Sequence, residues 1–292
     1  METPEDSPSR AASHERITVA MAQIQVRWGA AEKNVERAAR MIHEAGQDDC
    51  DMVVLPECLD LGWTHPDAAN GAEPIPGKRS QTLCAAAERE GVHAVAGLTE
   101  REGGHVYNTA ILIDPSGEIL LKHRKINILT IAQDVYTVGD RLGVAEVGPW
   151  GRVGVNICAD NFASSLALAH SQSRMGARLL LSPSAWAVDA DHDNERHPYG
   201  EMWRDAYATL ASLYDVAVVG VSNVGWIEGG PWKGRKCIGC SLAVGPAGET
   251  LAKGPYGADA QEIVRVDIPL KGLTVKGTAI AAELKERGYD GP

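Results

Sequence analysis

The sequence predicts an α/β fold with mixed sheets, and two observations carry this prediction. Short apolar runs that predict buried strands alternate along the chain with segments of helical periodicity. Two turn sequences, Asp114–Gly117 (D-P-S-G) and Gly245–Glu249 (G-P-A-G-E), predict hairpins, and hairpins make sheets mixed instead of purely parallel. The 292 residues suit one large domain, and no linker divides them. We therefore expect a mobile polar tail over residues 1–16 and a single domain over residues 17–292.

The first half of the chain predicts elements whose bounds follow from changes in apolar periodicity. The shortest strand is wholly apolar, as in a buried sheet, and a proline ends it. In order, the prediction is a strand over Ile17–Val26, a helix through Ala31 and Ile42, a strand over Met52–Leu55, a helix over Gln81–Glu90, and strands over Val92–Leu98, Tyr107–Ile113 and Ile119–Leu121.

The second half repeats this order of strand, helix, strand, helix and hairpin. Its predicted elements are a strand over Val153–Ile157, a helix from Ser164 to Met175, a strand over Leu179–Leu181, a helix over Glu201–Tyr214, and strands over Val216–Val221 and Ser241–Val244.

The composition argues against several classes of protein. Lys and Arg number 28 against 39 Asp and Glu, and the resulting formal charge of −11 repels phosphate backbones, so nucleic acid is not an expected partner. Six scattered cysteines are too few for a disulfide framework in a chain of this length. No apolar run has the length of a membrane span or the form of a signal peptide. We therefore expect a reduced cytoplasmic protein with no membrane contact.

Three reactive side chains stand where apolar strands end. The segments V-V-L-P-E-C, H-R-K-I-N-I and G-V-N-I-C-A-D deliver Glu57, Lys125 and Cys158. Strand ends are where α/β folds form ligand crevices. There, a carboxylate can take the proton of a thiol nucleophile, while an ammonium lowers the thiol pKa and stabilises an oxyanion. A helix beginning after Cys158 would add backbone N–H donors, that of Ala159 first.

Each of these residues also has an ordinary structural interpretation. A buried cysteine is usually an inert small hydrophobe. Lys125 alone is typical of a solvated basic patch, and Glu57 alone of a surface carboxylate after a strand. The spacing by itself leaves both interpretations open.

Four motifs together resemble the nitrilase (carbon–nitrogen hydrolase) superfamily from about Ile17 to Pro269. Their order and rough spacing also agree with that family. The matches are A-Q-x-x-V at Ala22–Val26, L-P-E at Leu55–Glu57, Y-R-K-x-x-L at His123–Ile128 with conservative changes, and G-x-x-I-C-x-D at Gly154–Asp160.

The resemblance implies a four-layer α-β-β-α sandwich with two mixed sheets and no metal or organic cofactor. It implies that Glu57, Lys125 and Cys158 form a catalytic triad that cleaves a non-peptide C–N bond of a small amide through a covalent thioester, releasing ammonia or an amine. Alternatives are a nitrilase acting through a thioimidate, an N-carbamoyl-amine hydrolase, or a catalytically silent family member that acts as a binding module. The partners implied are a small amide, carbamoyl or nitrile substrate and further copies of the chain in a homodimer or larger oligomer.

Departures from the family pattern favour an amidase. Many members carry a second glutamate before a segment like Val135–Asp140 of this chain; the matching position is Ala132 in one spacing and Asp134 in another, so Asp134 is a candidate substitute. Arginines that bind a substrate carboxylate in some branches are replaced by Asn161 and Phe162. True nitrilases usually have C-W-E at the nucleophile, where this chain has C-A-D.

Two tryptophans are candidates for the substrate pocket. Trp63 stands beside the base motif and Trp186 follows the strand after the nucleophile, and each is as readily explained as a core residue.

Three further signals predict ordinary structure. Cys237 and Cys240 lack a second ligand pair and lead into a strand, so we predict two packed thiols. The loop Asp189–His197 has metal-binding residue types but is more typical of a solvated crossing. Gly229–Gly234 is a flexible loop, because the residues of a phosphate cradle do not follow it.

Overall fold

A computed structural model describes residues 15–271, 283 and 285–288 of the chain. Most of the predicted tail, residues 1–14, lies outside the described residues. Arg16, which we assigned to the tail, is the first residue of the first strand.

Residues 15–271 form strands and α-helices that alternate along much of the chain. The strands are β1 (Arg16–Gln23), β2 (Met52–Val54), β3 (His93–Glu102), β4 (His105–Ile113), β5 (Ile119–Arg124), β6 (Val144–Glu146), β7 (Arg152–Val155), β8 (Ala177–Ser184), β9 (Ala187–Val188), β10 (Ala217–Ser222), β11 (Val224–Trp226), β12 (Lys236–Ile238), β13 (Leu242–Val244), β14 (Thr250–Lys253) and β15 (Glu262–Pro269). The α-helices are α1 (Ala31–Gln47), α2 (Ala68–Gly71), α3 (Lys78–Glu90), α4 (Leu166–Arg174) and α5 (Glu201–Tyr214). Short 3₁₀ turns span Thr130–Ala132, Gly148–Trp150, Cys158–Asn161 and Ala163–Ser165.

Two six-stranded mixed sheets organise these elements. Their strand orders are β15-β1-β2-β3-β4-β5 and β14-β13-β10-β8-β7-β6. In the first sheet β1, β2 and β3 are parallel neighbours, whereas β3, β4 and β5 run antiparallel. The second sheet has the same plan, with β7, β8 and β10 parallel and antiparallel strands at both edges. The predicted α/β class with mixed sheets is confirmed.

Strand alternation builds the four layers. On β1, Val19 and Met21 belong to the core shared with the second sheet, while Ala20 and Ala22 pack with α1 and α3. This is the period of two expected when both faces of a strand are buried. Helices α4 and α5 pack on the other side of the second sheet. The order is therefore helices, sheet, sheet, helices, as the α-β-β-α sandwich requires.

Strand β15 is the longest strand that was not predicted from the sequence. It pairs antiparallel with β1 over its whole length, from Arg16 opposite Pro269 to Gln23 opposite Glu262. Its sequence, E-I-V-R-V-D-I-P, mixes charged residues with apolar ones. Its place at a sheet edge explains this, because one face stays exposed.

Gly97 in β3 lies against the backbone that carries Glu57. Its N–H donates to the carbonyl of Pro56 at 3.0 Å, and its own carbonyl accepts from the N–H of Leu59 at 2.9 Å. A Cβ atom at position 97 would lie 2.6 Å from Cα of Glu57 and 2.7 Å from the carbonyl oxygen of Pro56. Both are backbone atoms, so glycine is required for this close approach.

We expect Gly97→Ala to push the Glu57 segment away from β3. Because overpacking a tight site typically costs about 1–3 kcal/mol, the free energy of unfolding in urea should fall by that amount. Gly143→Ala is the control, since its Cβ would meet only the movable Leu121 side chain, at 3.2 Å. Equal unfolding midpoints for the two variants would contradict the packing argument.

Candidate active site

Glu57, Lys125 and Cys158 line one cavity of about 220 Å³. Lys125 directly follows β5, and Glu57 and Cys158 each stand three residues after β2 and β7. All three are buried. The structure therefore brings together, at the ends of strands from both sheets, the three reactive residues singled out from the sequence.

A buried ion pair joins Glu57 and Lys125. Lys125 Nζ donates to Glu57 Oε1 at 2.6 Å, and Asn108 Nδ2 donates to the same oxygen at 2.6 Å. Asn108 also accepts, through its backbone carbonyl, the N–H of Lys125 at 2.9 Å. Burial acts to lower the pKa of Lys125, but interactions led by the charge of Glu57 outweigh burial and raise that pKa. Lys125 is therefore a cation.

The second carboxylate oxygen of Glu57, Oε2, takes no part in the ion pair with Lys125. Oε2 is buried and has no hydrogen-bond partner among the described residues. An unpaired carboxylate oxygen in such surroundings is costly unless a ligand or a proton occupies it. It can accept a proton without disturbing the pair with Lys125.

Cys158 sits at a sharp turn in a conformation that side chains rarely adopt. Its φ is +45°, in the left-handed region, and its N–H donates to Ser182 Oγ at 3.1 Å. Strain of this kind clusters at functional sites. The turn after it is a four-residue 3₁₀ segment, Cys158–Asn161, and α4 begins only at Leu166. The helix predicted over Ser164–Met175 is thus present as α4, but it begins too far from Cys158 to supply donors, and any N–H donors come from the 3₁₀ turn instead.

The Cys158 thiol is protonated at rest. Burial and then the nearby Glu57 carboxylate raise its pKa to about 12, although Lys125 acts to lower it. The lowering effect of the lysine was predictable from the sequence, whereas the stronger effects of burial and of Glu57 were not, because burial is decided only by packing. A resting thiolate is thus not part of this site.

Asp160 ties the segment after Lys125 to the Cys158 turn. Its Oδ1 accepts the N–H groups of Ile126 and Asn127 at 3.1 and 2.7 Å. Its Oδ2 accepts the N–H of Ile157 at 3.0 Å and lies 2.8 Å from His123 Nε2. Burial acts to raise the pKa of Asp160, but His123 and the backbone donors lower it, so Asp160 is an anion and Nε2 is the donor.

Ala159, the predicted oxyanion donor, is fully buried in the same turn. Its carbonyl accepts from Asn127 Nδ2 at 2.7 Å. The N–H groups on either side of it already donate, that of Cys158 to Ser182 and that of Asp160 to Ile157. The N–H of Ala159 lies between these two groups along the turn and is the one that the sequence predicted as an oxyanion donor.

Six aromatic residues form a large part of the cavity wall. Trp63 and Trp186, the two predicted pocket residues, both line it. Trp203 stacks on Phe162 and on Trp186, with ring centroids 4.8 and 4.9 Å apart. The remaining lining residues are Leu129, Ala185, Ala187, Tyr199, Met202 and Trp232.

Asp134 is not brought to this cavity. It is exposed in the turn after the 3₁₀ segment Thr130–Ala132 and is not among the residues that line the cavity. Ala132, the matching position in the other spacing, is buried against Trp63 and Tyr136. The expectation that Asp134 replaces a second family glutamate is therefore not supported by its placement, because the chain turns its side chain to solvent.

The other sequence signals occupy ordinary positions. Cys237 and Cys240 are free thiols, and burial raises the pKa of both, to about 12 and about 11. In the loop Asp189–His197, Asp189 pairs with Arg235 at 2.9 Å, and Asp193 accepts the N–H of Glu195. Within the described part of the chain, no three His, Cys, Asp or Glu side chains are grouped as metal ligands.

Four residues that shape the site as donors or walls were not predicted from the sequence. Asn108 lies in the mainly apolar strand β4, and a polar residue there is a signal that could have found it. His123 stands in the basic run Lys122–Lys125, and this run conceals it. Trp203 and Trp232 carry no comparable signal, since helical and loop tryptophans are common in cores and on surfaces.

Comparisons with known proteins agree with this architecture. The chain matches the carbon–nitrogen hydrolase family over residues 18–275. It is 30% identical to the omega-amidase NIT2 of Homo sapiens and 32% identical to that of Danio rerio, in each case over 82% of this chain and 84% of the relative. Nit3 of Saccharomyces cerevisiae, a nitrilase-superfamily structure, superposes with a TM-score of 0.74 at 23% identity, covering 96% of this chain and 97% of its own. A mutant amidase from Nesterenkonia sp. AN1 superposes with a TM-score of 0.73 at 20% identity, covering 96% of this chain and 95% of its own.

No helix among the described residues is both long and apolar enough to cross a bilayer.

We expect Asp160→Asn to misplace the Cys158 turn without altering the cavity wall. The NH₂ group of asparagine cannot accept, so whichever oxygen it replaces, either the N–H of Ile157 or the N–H groups of Ile126 and Asn127 are left without their acceptor. Because small misplacements of reacting groups cost up to about a hundredfold in rate, kcat for amide hydrolysis should fall about ten- to a hundredfold while KM changes little.

Asp114→Asn is the matched control, because Asp114 also accepts backbone N–H groups, from Ser116 and Glu118, but lies in an exposed turn. A rise in KM at unchanged kcat in Asp160→Asn would show that Asp160 acts on substrate binding instead.

The raised thiol pKa gives a pH dependence with a definite sign. A thiol in the unfolded chain loses its proton near pH 8.5, whereas Cys158 holds its proton up to about pH 12. Above about pH 8.5 the unfolded state therefore binds fewer protons, and stability falls as pH rises. Between pH 7.5 and about 10, the free energy of unfolding should fall more for wild type than for Cys158→Ser. Over the same interval, the two folded proteins should show equal thiolate absorbance. A Cys158-dependent thiolate signal near neutral pH would contradict this.

Proposed function

The chain belongs to the carbon–nitrogen hydrolase family of the nitrilase superfamily and is an amidase-type hydrolase, and we propose that it cleaves its amide through a thioester on Cys158 with Glu57 as base. One observation carries the proposal. Glu57, held by Lys125 at 2.6 Å, shares an aromatic cavity with a buried thiol. Base, cation and nucleophile thus stand in one site.

The first step joins the thiol sulfur to the amide carbon. As the S–C bond forms, the thiol proton passes to Glu57, whose Oε2 has no other partner among the described residues. Transfer and attack proceed together, because a thiol with a pKa of about 12 does not ionise beforehand at neutral pH. The carbonyl electron pair moves to oxygen and forms a tetrahedral oxyanion.

The oxyanion needs donors that are already in place. Lys125 Nζ is a cation within the same cavity, and the N–H of Ala159 follows the nucleophile directly. Fixed donors in a buried site stabilise such a charge more strongly than water does. We assign Lys125 and Ala159 to this role.

Collapse of the tetrahedral intermediate breaks the C–N bond. Glu57 returns the proton to the leaving nitrogen, so ammonia or an amine departs and a thioester on Cys158 remains. Water then attacks the thioester, and Glu57 takes its proton and passes it to the departing sulfur. The products are a carboxylic acid and the free thiol, so the base is restored at the end of each cycle.

The substrate is a small molecule, in keeping with an amide-hydrolysing family. Assembly into a homodimer or larger oligomer stays a prediction of the family resemblance, and sedimentation of the purified chain tests it.

We expect Cys158→Ala to abolish amide hydrolysis and Glu57→Gln to block acylation. The glutamine keeps the oxygen that accepts from Lys125 and Asn108 but cannot take a proton, so the fold should persist. Ammonia release measures turnover, and intact-protein mass spectrometry measures the acyl-enzyme. Loss of a nucleophile or base should lower kcat by at least about a thousandfold.

Cys84→Ala is the matched control, because Cys84 is a half-buried thiol of α3 that does not line the cavity. Near wild-type ammonia release by Cys158→Ala would disprove the nucleophile. Full, rapid acyl-enzyme formation by Glu57→Gln would disprove the base for the first step.

A further inference from the structure

Two groups of aromatic rings line the cavity. In the first, Trp203 stacks on Phe162 and Trp186 with interplanar angles of 21° and 19°. In the second, Trp63 contacts Trp232 with ring centroids 4.7 Å apart, and Lys125 Nζ lies 6.0 Å from the centre of the Trp63 ring. Both groups form the wall of the cavity that also contains Glu57 and Cys158.

Charge in the cavity is already neutralised. Among the described residues that line it, the one cation is Lys125 and the one anion is Glu57, and these two are paired. Arg235 stacks on Trp232 but does not line the cavity and is paired with Asp189 at 2.9 Å. A substrate carboxylate would thus be buried near Glu57 without a counter-ion, which is strongly unfavourable.

The polar side chains near the nucleophile already make hydrogen bonds within the protein. Asn161, just after the nucleophile, is fully buried, and its amide bonds with Ser182 Oγ and Asn156, each at 3.0 Å. Tyr199 lines the cavity, and its hydroxyl accepts from Trp203 Nε1 at 3.0 Å. Burial raises the pKa of Tyr199, so this hydroxyl is a neutral donor and not a counter-ion for a carboxylate.

The cavity has room for one ring and an amide. Its volume of about 220 Å³ exceeds the roughly 150 Å³ of an apolar protein cavity that holds a benzene molecule. Aromatic walls favour flat rings, because offset-stacked and edge-to-face contacts add to area burial.

We infer that the acyl group of the substrate is uncharged, apolar and flat, as in an arylacetamide. This inference rests on the proposed hydrolysis at Cys158 and adds the substrate class. It also excludes monoamides of dicarboxylic acids as good substrates, because nothing among the described residues lining the cavity is left to pair with their free carboxylate.

Five amides separate the features of this class. Phenylacetamide is compared with cyclohexylacetamide for flatness and with acetamide for apolar bulk. Succinamate is compared with 4-methylpentanamide, which has the same shape without the charge.

We expect kcat/KM for phenylacetamide to exceed that for cyclohexylacetamide by at least about fivefold, the scale of one aromatic contact. It should exceed that for acetamide by at least about a hundredfold, since each methylene in a hydrophobic pocket is worth about tenfold or more. Succinamate should be at least about a hundredfold poorer than 4-methylpentanamide, because its carboxylate is left unpaired. Succinamate or acetamide as the best of the five would overturn the inference.

A pair of tryptophan variants tests the wall directly. Trp232→Leu removes one ring from a half-buried position, so the preference for phenylacetamide over cyclohexylacetamide should fall towards one. Trp226→Leu is the control, because Trp226 is 47% exposed and does not line the cavity. An unchanged preference in Trp232→Leu would contradict the assigned wall.

Binding to Cys158→Ala keeps this inference separate from the proposed chemistry. Tryptophan fluorescence should report a Kd for phenylacetamide at least about fivefold below that for cyclohexylacetamide, and no saturation by succinamate. This order with a fully active Cys158→Ala would overturn the proposed function but not the substrate class. The reverse order with Cys158-dependent hydrolysis would overturn the substrate class alone.

Discussion

The buried ion pair between Glu57 and Lys125 is the constraint on which the rest of this structure depends. Two charges removed from water cost several kcal/mol each unless their geometry and remaining hydrogen bonds are good. Here the distance is 2.6 Å, and Asn108 supplies a further donor. The first sheet must therefore hold the ends of β2, β4 and β5 in fixed register, and Gly97 is the point where β3 makes room for the base.

The second sheet is held to that pair by a second buried charge. Asp160 accepts from the segment after Lys125 and from the turn that carries Cys158. Glu57, Lys125 and the turn that carries Cys158 are thus joined by hydrogen bonds that span both sheets. Because the thiol is buried near a carboxylate, its pKa rises to about 12, and the proposed mechanism therefore couples proton transfer to attack on the substrate. The same burial, with the charges of the cavity already paired, favours an uncharged substrate.

The fold was largely predictable because its signals are local. Apolar runs and turn residues reveal where strands begin and end, and the main predicted strands and helices are present with bounds shifted by a few residues. The strand β15 and the short strands β6, β9, β11 and β12 were not predicted. Their residues are few or alternate with charges, so their strand character comes from the neighbours they pair with, not from their own apolar pattern.

The sequence by itself determined which reactive residues stand at strand ends, since a strand's end is a local feature. The resemblance of four short motifs to the nitrilase superfamily then singled out Glu57, Lys125 and Cys158 as a triad. Only the tertiary structure decided their partners, because Asn108 and Glu57 are 51 positions apart and Asp160 and His123 are 37 apart. It also decided that Asp134 faces solvent, which spacing cannot reveal. The tertiary structure also decided that the Cys158 thiol keeps its proton. Burial and the approach of the Glu57 charge are properties of packing, and no local sequence pattern encodes them.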